Sequence, residues 1–257
     1  MIFDTHAHYD DEQFAEDREQ ILASLFAGNV GAVVDVSAEL DSAERVLELA
    51  GKYPQMYAAV GVHPDDVGEM SAERLAQIER LCAHEKCVAV GEIGLDYHWM
   101  VADKKTQAQW FAAQIELAKR VKKPVIIHSR DAAEDTLNIV RGERAYEAGG
   151  VMHCYSYSRE MAAAYIDMGF YIGVGGVLTF KNARKLREVV EYAPMDRIVV
   201  ETDCPYLAPE PFRGKRNCSA YIAYVLDELA RIKGISREEA ERITWENAQR
   251  MFFKGGL

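Results

Sequence analysis

Apolar and polar positions along the chain follow two alternating periods. Short runs rich in β-branched and other apolar residues indicate strands, and the longer stretches between them repeat apolar residues at helical spacing. The predicted strands cover residues 2–3, 32–36, 57–62, 87–90, 124–127, 150–152, 169–174 and 197–200. The predicted helices between them cover residues 18–26, 42–49, 72–81, 107–121, 132–140, 159–168 and 182–192.

A strand followed by a helix, repeated eight times at roughly 20–35 residues per unit, is typical of a (β/α)₈ or TIM barrel of about 250 residues. Two more helices, 218–232 and 236–250, are predicted after the eighth strand, and Ser236 and Glu239 have the spacing of a capping box. No linker rich in Pro, Gly or Ser interrupts the pattern, so residues 1–257 are predicted to form one α/β domain. An open doubly wound sheet is the alternative, because periodicity alone does not show closure.

The composition narrows the class of protein. With 49% hydrophobic residues in a chain of 257, a sizeable core can be buried. The formal net charge of -11 disfavours a broad basic face for duplex DNA, so an anionic substrate has to be held locally. The five cysteines lack C-x-x-C spacing, and their odd number disfavours a disulfide framework. Neither a secretory leader nor a membrane span is readable, so we expect a cytoplasmic protein.

Histidines and carboxylates stand where the predicted strands end. In a barrel, residues at the carboxyl ends of the strands share one cavity. A single histidine is more often structural than a ligand, and we keep that reading for His84 and His98. His6 and His8 differ, because residues two apart in an extended segment point to the same side. The sequence therefore predicts a metal site at this rim, and the groups there are His6, His8, Glu92, His128, His153, Glu201 and Asp203.

The number of candidate ligands predicts two metal ions. Six groups exceed what one tetrahedral zinc accepts, so two divalent cations with one bridging carboxylate are expected. Some binuclear barrel hydrolases bridge their metals with a carbamylated lysine, but Glu92 stands at this strand end, and we predict that it bridges. The donor types leave Mg, Mn and Zn open. The predicted ligands are His6, His8, Glu92, His128, His153 and Asp203.

Six segments in order along the chain resemble the TatD family of metal-dependent deoxyribonucleases. They are DTHAH (residues 4–8), GVHP (61–64), GEIGLDY (91–97), PVIIHSR (124–130), HC (153–154) and ETDCPYL (201–207). The resemblance runs from residue 2 to residue 248. It implies a nuclease that depends on divalent metal and removes nucleotides from single-stranded DNA, from 3′ to 5′.

The resemblance also implies roles for individual residues. His6 and His8 match the family's first metal pair, and Glu92 matches its bridging carboxylate. His128 and His153 match the imidazoles of the second metal. Asp203 matches the aspartate near the nucleophilic water. Glu201 matches a polar neighbour of that aspartate, and we favour a group that orients a ligand over a ligand.

Cations near the rim are the candidate substrate contacts. Residues 211–217 look like the family's loop after strand eight, and Arg213, Lys215 and Arg216 can hold phosphate oxygens. A solvated basic loop is the alternative. Arg130 and Lys181 are weaker candidates of the same kind. His63 is a candidate phosphate contact or proton donor, with a structural role before Pro64 equally open.

Two positions depart from the family pattern at the expected substrate mouth. Tyr157 stands where the family usually has glycine, and Cys218-Ser219 stands where Glu-Pro is expected. These departures leave strand polarity, substrate length and the preference for DNA open. Tyr157 is a candidate for stacking on a base of the substrate. The alternative is a surface aromatic side chain without a partner.

The leading hypothesis is a phosphodiesterase in which two cations activate water, Asp203 accepts its proton, and Arg213 or Arg216 holds the phosphate. The runner-up is a hydrolase of the same fold that acts on an amide, lactone or phosphoester of a small molecule. A third hypothesis is a metal-binding scaffold without turnover. The expected partner is single-stranded DNA or a nucleotide phosphoester, with no membrane contact, and a monomer is the simplest assembly.

Overall fold

The computed structural model describes residues 1–253, in which strands and helices alternate. The strands are β1 Ile2–Ala7, β2 Val30–Val36, β3 Met56–Ala59, β4 Cys87–Asp96, β5 Val125–Arg130, β6 Gly150–Met152, β7 Tyr171–Val174 and β8 Ile198–Val200. The α-helices in this range are α1 Arg18–Ala27, α2 Leu40–Lys52, α3 Ala72–Leu81, α4 Lys104–Val121, α5 Ala133–Gly142, α6 Arg159–Asp167, α7 Arg184–Tyr192, α8 Ile222–Lys233 and α9 Arg237–Phe252. The predicted domain, residues 1–257, ends with four residues outside the described ones.

The eight strands form one parallel sheet whose order follows the chain from β1 to β8. The two edges meet, because Ala7 bridges to Cys204 and the His8 N–H donates to the Cys204 carbonyl at 2.8 Å. The Thr5 hydroxyl also donates to the Val200 carbonyl of β8. The molecule is therefore a nearly closed (β/α)₈ TIM barrel, as predicted, and the open sheet is excluded.

Two apolar cores hold the barrel together. One cluster joins side chains from every strand with three from α9, an arrangement that only a barrel interior allows. Phe3 of β1 packs in it against Phe252 and Trp245, so α9 closes one end of the barrel. The other cluster lies between the strands and the surrounding helices. The site is built at the carboxyl ends of the strands.

Three strands extend further at their carboxyl ends than predicted, and one of them is β5, which was predicted over residues 124–127 and continues to Arg130. Residues 2–3 and 87–90 were expected as strands, but β1 continues to Ala7 and β4 to Asp96. The extensions of β1 and β4 carry buried polar side chains that hydrogen-bond to the adjacent strand or to residues just after a strand, so polarity did not end the strands. The helix start predicted at Ser236 is confirmed, since its hydroxyl accepts the Glu239 N–H at 3.1 Å. Within the described residues, every helix is too short or too polar to cross a bilayer.

Candidate metal centre

The two histidines of β1 face each other at the carboxyl end of the barrel. His6 lies inside the strand and is fully buried, and His8 follows the strand directly. Their Nε2 atoms are 3.0 Å apart. His8 Nδ1 donates to the Val36 carbonyl at 2.8 Å, which in the neutral ring leaves the Nε2 lone pair facing His6.

Two carboxylates complete this group. Glu92 Oε2 lies 3.4 Å from His6 Nε2 and 3.9 Å from His8 Nε2. Asp203 Oδ1 lies 3.8 and 3.4 Å from the same two nitrogens. Ligands at about 2.1 Å from a tetrahedral cation are about 3.4 Å from one another. The four side chains therefore fit a divalent cation, and imidazole with carboxylate is a suitable donor set for one.

Glu92 reaches a second group with its other oxygen. Glu92 Oε1 lies 2.9 Å from His128 Nδ1 and 3.8 Å from His153 Nε2. The His153 nitrogen is also 3.6 Å from Asp203 Oδ1, and its ring stacks on His6 at 3.5 Å between centroids. All six predicted ligands thus converge, and Glu92 spans the two groups as a bridging carboxylate would. Their roles as ligands stay predictions.

Glu201 lies behind His153 rather than among the converging atoms. The Cys154 N–H donates to Glu201 Oε1 at 2.6 Å. Glu201 Oε2 is 3.1 Å from His153 Nδ1, within ion-pair distance, and both atoms are buried. Glu201 thus faces the side of the imidazole opposite Glu92, which favours its predicted role of orienting that ring.

His63 lies next to the second group. It follows β3, and its ring centroid is 4.4 Å from that of His128. Its Nδ1 accepts the Asp65 N–H. Burial lowers the pKa of His63 to about 4, so the ring is neutral at pH 7. A neutral imidazole can hold a phosphate oxygen through an N–H, but it is a poor source of a proton.

Asp96 belongs to the site and was not predicted. Its Oδ2 lies 3.0 Å from His128 Nε2, and its Oδ1 accepts the N–H groups of His98 and Trp99. Burial raises the pKa of this carboxyl, but the hydrogen bonds outweigh burial and hold it below its ordinary value. Asp96 therefore fixes the His128 ring from the side opposite Glu92. Every second residue of a strand points to the same face, so Asp96, four residues after Glu92, could have been predicted to lie on the same side as Glu92.

Asp4 is a second residue that the sequence reading missed. Its carboxylate accepts the Thr202 hydroxyl at 2.6 Å, the Ser219 hydroxyl at 2.7 Å and the Thr202 N–H at 3.0 Å. Burial raises the pKa of Asp4 to about 7. The carboxylate joins β1, which carries His6, to the segment that carries Asp203. It therefore positions the two halves of the first ligand group.

The sequence model of the family described as TatD related DNase matches residues 3–253. The chain belongs to the TatD family. It is 47% identical over 252 residues to the uncharacterised metal-dependent hydrolase YabD of Bacillus subtilis, covering 98% of this chain and 99% of YabD. It is 31% identical over 256 residues to the 3′-5′ ssDNA/RNA exonuclease TatD of Salmonella typhimurium, covering 98% of each chain.

A solved TatD-family structure has the same architecture. The crystal structure of YJJV, a TatD homologue from Escherichia coli K12, superposes with a TM-score of 0.90 at 32% identity, covering 98% of this chain and 97% of that one. The resemblance stated from the sequence is therefore confirmed, and with it a metal-dependent hydrolase family.

The predicted phosphate-binding cations are only partly free in this TatD-family chain. Arg216 is exposed and donates to both carboxylate oxygens of Asp17 and to the Gln13 carbonyl, and its role as a phosphate contact stays a prediction. Arg213 and Lys215 are exposed, with the Arg213 guanidinium 4.4 Å from the Phe180 ring. Arg130 lies 5.5 Å from the ring of Trp99, itself an exposed side chain. Lys181 is exposed as well.

Both departures from the family pattern have structural partners. The Tyr157 hydroxyl is 2.9 Å from the Ser129 hydroxyl and accepts the Ala132 N–H, so Tyr157 is not an unpartnered surface aromatic. Its half-buried ring also packs against the core, which disfavours stacking on a base. Ser219 donates to Asp4 as described above, and the Cys218 N–H donates to the Asn217 amide oxygen.

Metal binding is expected to release protons. Burial alone lowers the pKa of an imidazole, but neighbouring carboxylates outweigh it and raise the pKa to about 10 for His8 and about 9 for His128 and His153. At pH 7.5 these rings are protonated in the metal-free protein, and a cation binds only the unprotonated nitrogen. Metal affinity should therefore rise with pH up to about 9–10.

Isothermal titration of chelator-treated protein with Mn²⁺ measures this release. Buffers of different ionisation enthalpy at pH 7.5 should give different apparent enthalpies, corresponding to at least one proton released per chain. Enthalpies that do not depend on the buffer at pH 7.5 would show that no proton is released. They would contradict the assignment of these rings as protonated groups that lose a proton when the cation binds.

Proposed function

We propose that this protein is a phosphodiesterase that uses two divalent metal ions, Mg, Mn or Zn, to remove nucleotides from single-stranded DNA in the 3′ to 5′ direction. The observation that carries the proposal is Glu92, whose two oxygens face the His6-His8 pair and the His128-His153 pair separately. Two cations joined by one carboxylate suit in-line displacement at phosphorus, where the attacking and leaving oxygens both need stabilisation.

The predicted ligands fall into two sets, one for each cation. His6, His8 and Asp203 would hold one cation, His128 and His153 the other, and Glu92 both. Bound divalent ions supply Lewis-acid stabilisation of the phosphoryl oxygens and lower the pKa of water.

Asp203 is the group we assign to the proton of the attacking water. Its side chain is 20% exposed, against 5% for Glu92 and 1% for Glu201, so it is the carboxylate of the centre that water reaches most easily. Neighbouring imidazoles hold the pKa of Asp203 below its ordinary value despite burial, which keeps it ionised and able to accept a hydrogen bond from water at neutral pH.

The rim of the barrel supports a nucleic-acid substrate. Trp99 and Tyr206 are 63% and 49% exposed on the loops after β4 and β8, and exposed aromatic rings stack on bases of single strands. Arg130 at the end of β5 and Arg213 and Lys215 on the loop after β8 are exposed cations in a chain with a net charge of -11. The name of the Salmonella relative, an exonuclease for single-stranded DNA and RNA, agrees with this substrate class.

Degradation of a labelled oligonucleotide tests the proposal. A 5′-labelled single strand incubated with Mg²⁺ or Mn²⁺ should give a ladder shortening from its 3′ end, released mononucleotides, and no product in the presence of chelator. An oligonucleotide blocked at its 3′ end should be resistant. Cleavage that chelator does not affect, or turnover only of a small-molecule ester, amide or lactone, would contradict a DNA phosphodiesterase.

A further inference from the structure

A cavity of about 300 Å³ opens beside the metal centre. Its walls come from the segment after β6, the turn after β7 and the start of α7. Cys154, which follows the predicted ligand His153, lines it. The Cys154 sulfur lies within 4.8 Å of ligand atoms of His153 and Asp203. One residue of the cavity wall, Cys154, therefore borders the metal centre.

The walls are mainly apolar and the mouth is polar. Val177, Ala183 and Leu186 supply apolar wall, while Asn182 and Lys185 are exposed at the edge. A ligand that fits such a cavity has flat apolar faces, a few polar atoms at its edge, and an anionic group outside. Cavities for small molecules are typically about 300–1,000 Å³, so this one has room for a single ring system and little more.

The wall next to the metal centre is held in place by hydrogen bonds. Cys154 has a positive φ of 44°, a strained conformation for a residue other than glycine. Its N–H donates to Glu201, and the next N–H, of Tyr155, donates to the Gly173 carbonyl at 3.2 Å. The cavity is therefore formed before a ligand arrives, at a fixed position relative to His153.

We propose that this cavity receives the nucleobase of the nucleotide whose phosphate is attacked. The inference rests on the proposed function and adds a binding site to it. A phosphate held between the cations leaves its nucleoside within reach of the adjacent wall, and a base offers the apolar faces and polar edge that the cavity suits. A sugar alone would bring hydroxyl groups against Val177 and Leu186, where they would lose hydrogen bonds to water.

The contribution of the base can be measured without turnover. Protein loaded with Mn²⁺ is titrated with 2′-deoxyadenosine 5′-monophosphate and with 2-deoxyribose 5-phosphate. Both are phosphate monoesters, so contacts of the phosphate with the cations cancel in the ratio of dissociation constants. We expect the nucleotide to bind at least about tenfold more tightly, the range of one base–aromatic or base–apolar stacking contact. Equal affinities would overturn the proposal without need of any variant.

A variant that fills the cavity tests whether the preference for the nucleotide arises there. Val177→Phe fills the cavity and should reduce the affinity ratio to near one, while leaving the affinity for 2-deoxyribose 5-phosphate within about twofold. Ala23→Phe, which adds the same ring on the exposed face of α1, is the matched control and should keep the ratio. A large ratio retained in folded Val177→Phe would place the base elsewhere and overturn the proposal.

The two proposals fail in different ways. If wild-type protein degrades DNA but does not distinguish the two monoesters, the cavity assignment is wrong and the nuclease function stands. If the ratio is large and collapses in Val177→Phe while DNA is not degraded, the cavity binds a nucleobase and the proposed function is wrong.

Discussion

Replacing Glu92 with glutamine should lower kcat/KM for single-stranded DNA by about a thousandfold or more. Glutamine keeps the shape of the side chain but removes the charge that faces both groups of imidazoles. A bridging carboxylate holds two cations at once, and loss of their stabilisation costs several kcal/mol, with every 1.36 kcal/mol equal to a factor of ten. Rates on a labelled oligonucleotide, together with metal content by mass spectrometry, measure both effects.

The metal content of the variant tests the bridging role of Glu92 directly. Glu92→Gln should bind fewer than two divalent ions per chain, whereas the wild type should bind two. Glu134→Gln removes an exposed carboxylate in the first turn of α5 and should change neither value. A Glu92→Gln protein that is folded, holds two ions and keeps the wild-type rate would remove Glu92 from the bridge.

The barrel could be predicted because its local pattern and its tertiary structure agree. Buried parallel strands read as continuous apolar runs, and most helices between them, α1 being an exception, have one apolar face. The same topology made the site predictable, since the carboxyl ends of parallel strands meet at one rim. Polar residues at the ends of two different strands, such as His128 near the end of β5 and His153 just after β6, then had to lie close together. The convergence of all six groups follows from the order of the strands.

The sequence did not predict two residues of the site, and the reason is physical. Asp96 and Asp4 lie inside strands, where a polar residue was taken as the end of the element. Each is stabilised by partners from other elements, for example Thr202 and Ser219 for Asp4. The pairing of Asp4 is tertiary and leaves no local pattern, whereas Asp96 stands four residues after Glu92 on the same face of β4. The ion pair between Arg216 and Asp17 joins residues 199 apart in the sequence, so this contact could not be predicted from the sequence.

The carboxylates of the site have two kinds of position. Two of them lie among the converging ligand atoms, and two lie behind the imidazoles and support them. Glu92 and Asp203 face the imidazoles from inside the centre, where the ligand atoms converge. Asp96 and Glu201 contact His128 and His153 from the opposite side of each ring. A histidine held between two carboxylates has its ring orientation set by the outer one and its basicity raised. This arrangement explains why buried imidazoles keep a raised pKa despite desolvation.

Asp203→Asn is expected to lower kcat by about 10²–10⁴-fold even with saturating metal, the range for loss of a proton acceptor. The residue has a positive φ of 59°, which asparagine also tolerates, so the backbone of the loop should be preserved. Asparagine keeps an oxygen that can face His8 but cannot take up the proton of water at neutral pH. Single-turnover rates on DNA at increasing Mn²⁺ concentration separate this loss from weaker metal binding.

Glu201→Gln provides the comparison, because Glu201 contacts His153 without joining the converging atoms. It should weaken metal affinity about 10–100-fold, the usual effect of removing a group that orients a ligand. Its kcat should return close to the wild-type value once metal is saturating, because the proton acceptor is intact. Full recovery of Asp203→Asn at high Mn²⁺ would assign Asp203 to metal binding alone. A rate that stays low in Glu201→Gln at high Mn²⁺ would instead give Glu201 a part in the reaction beyond orienting the imidazole.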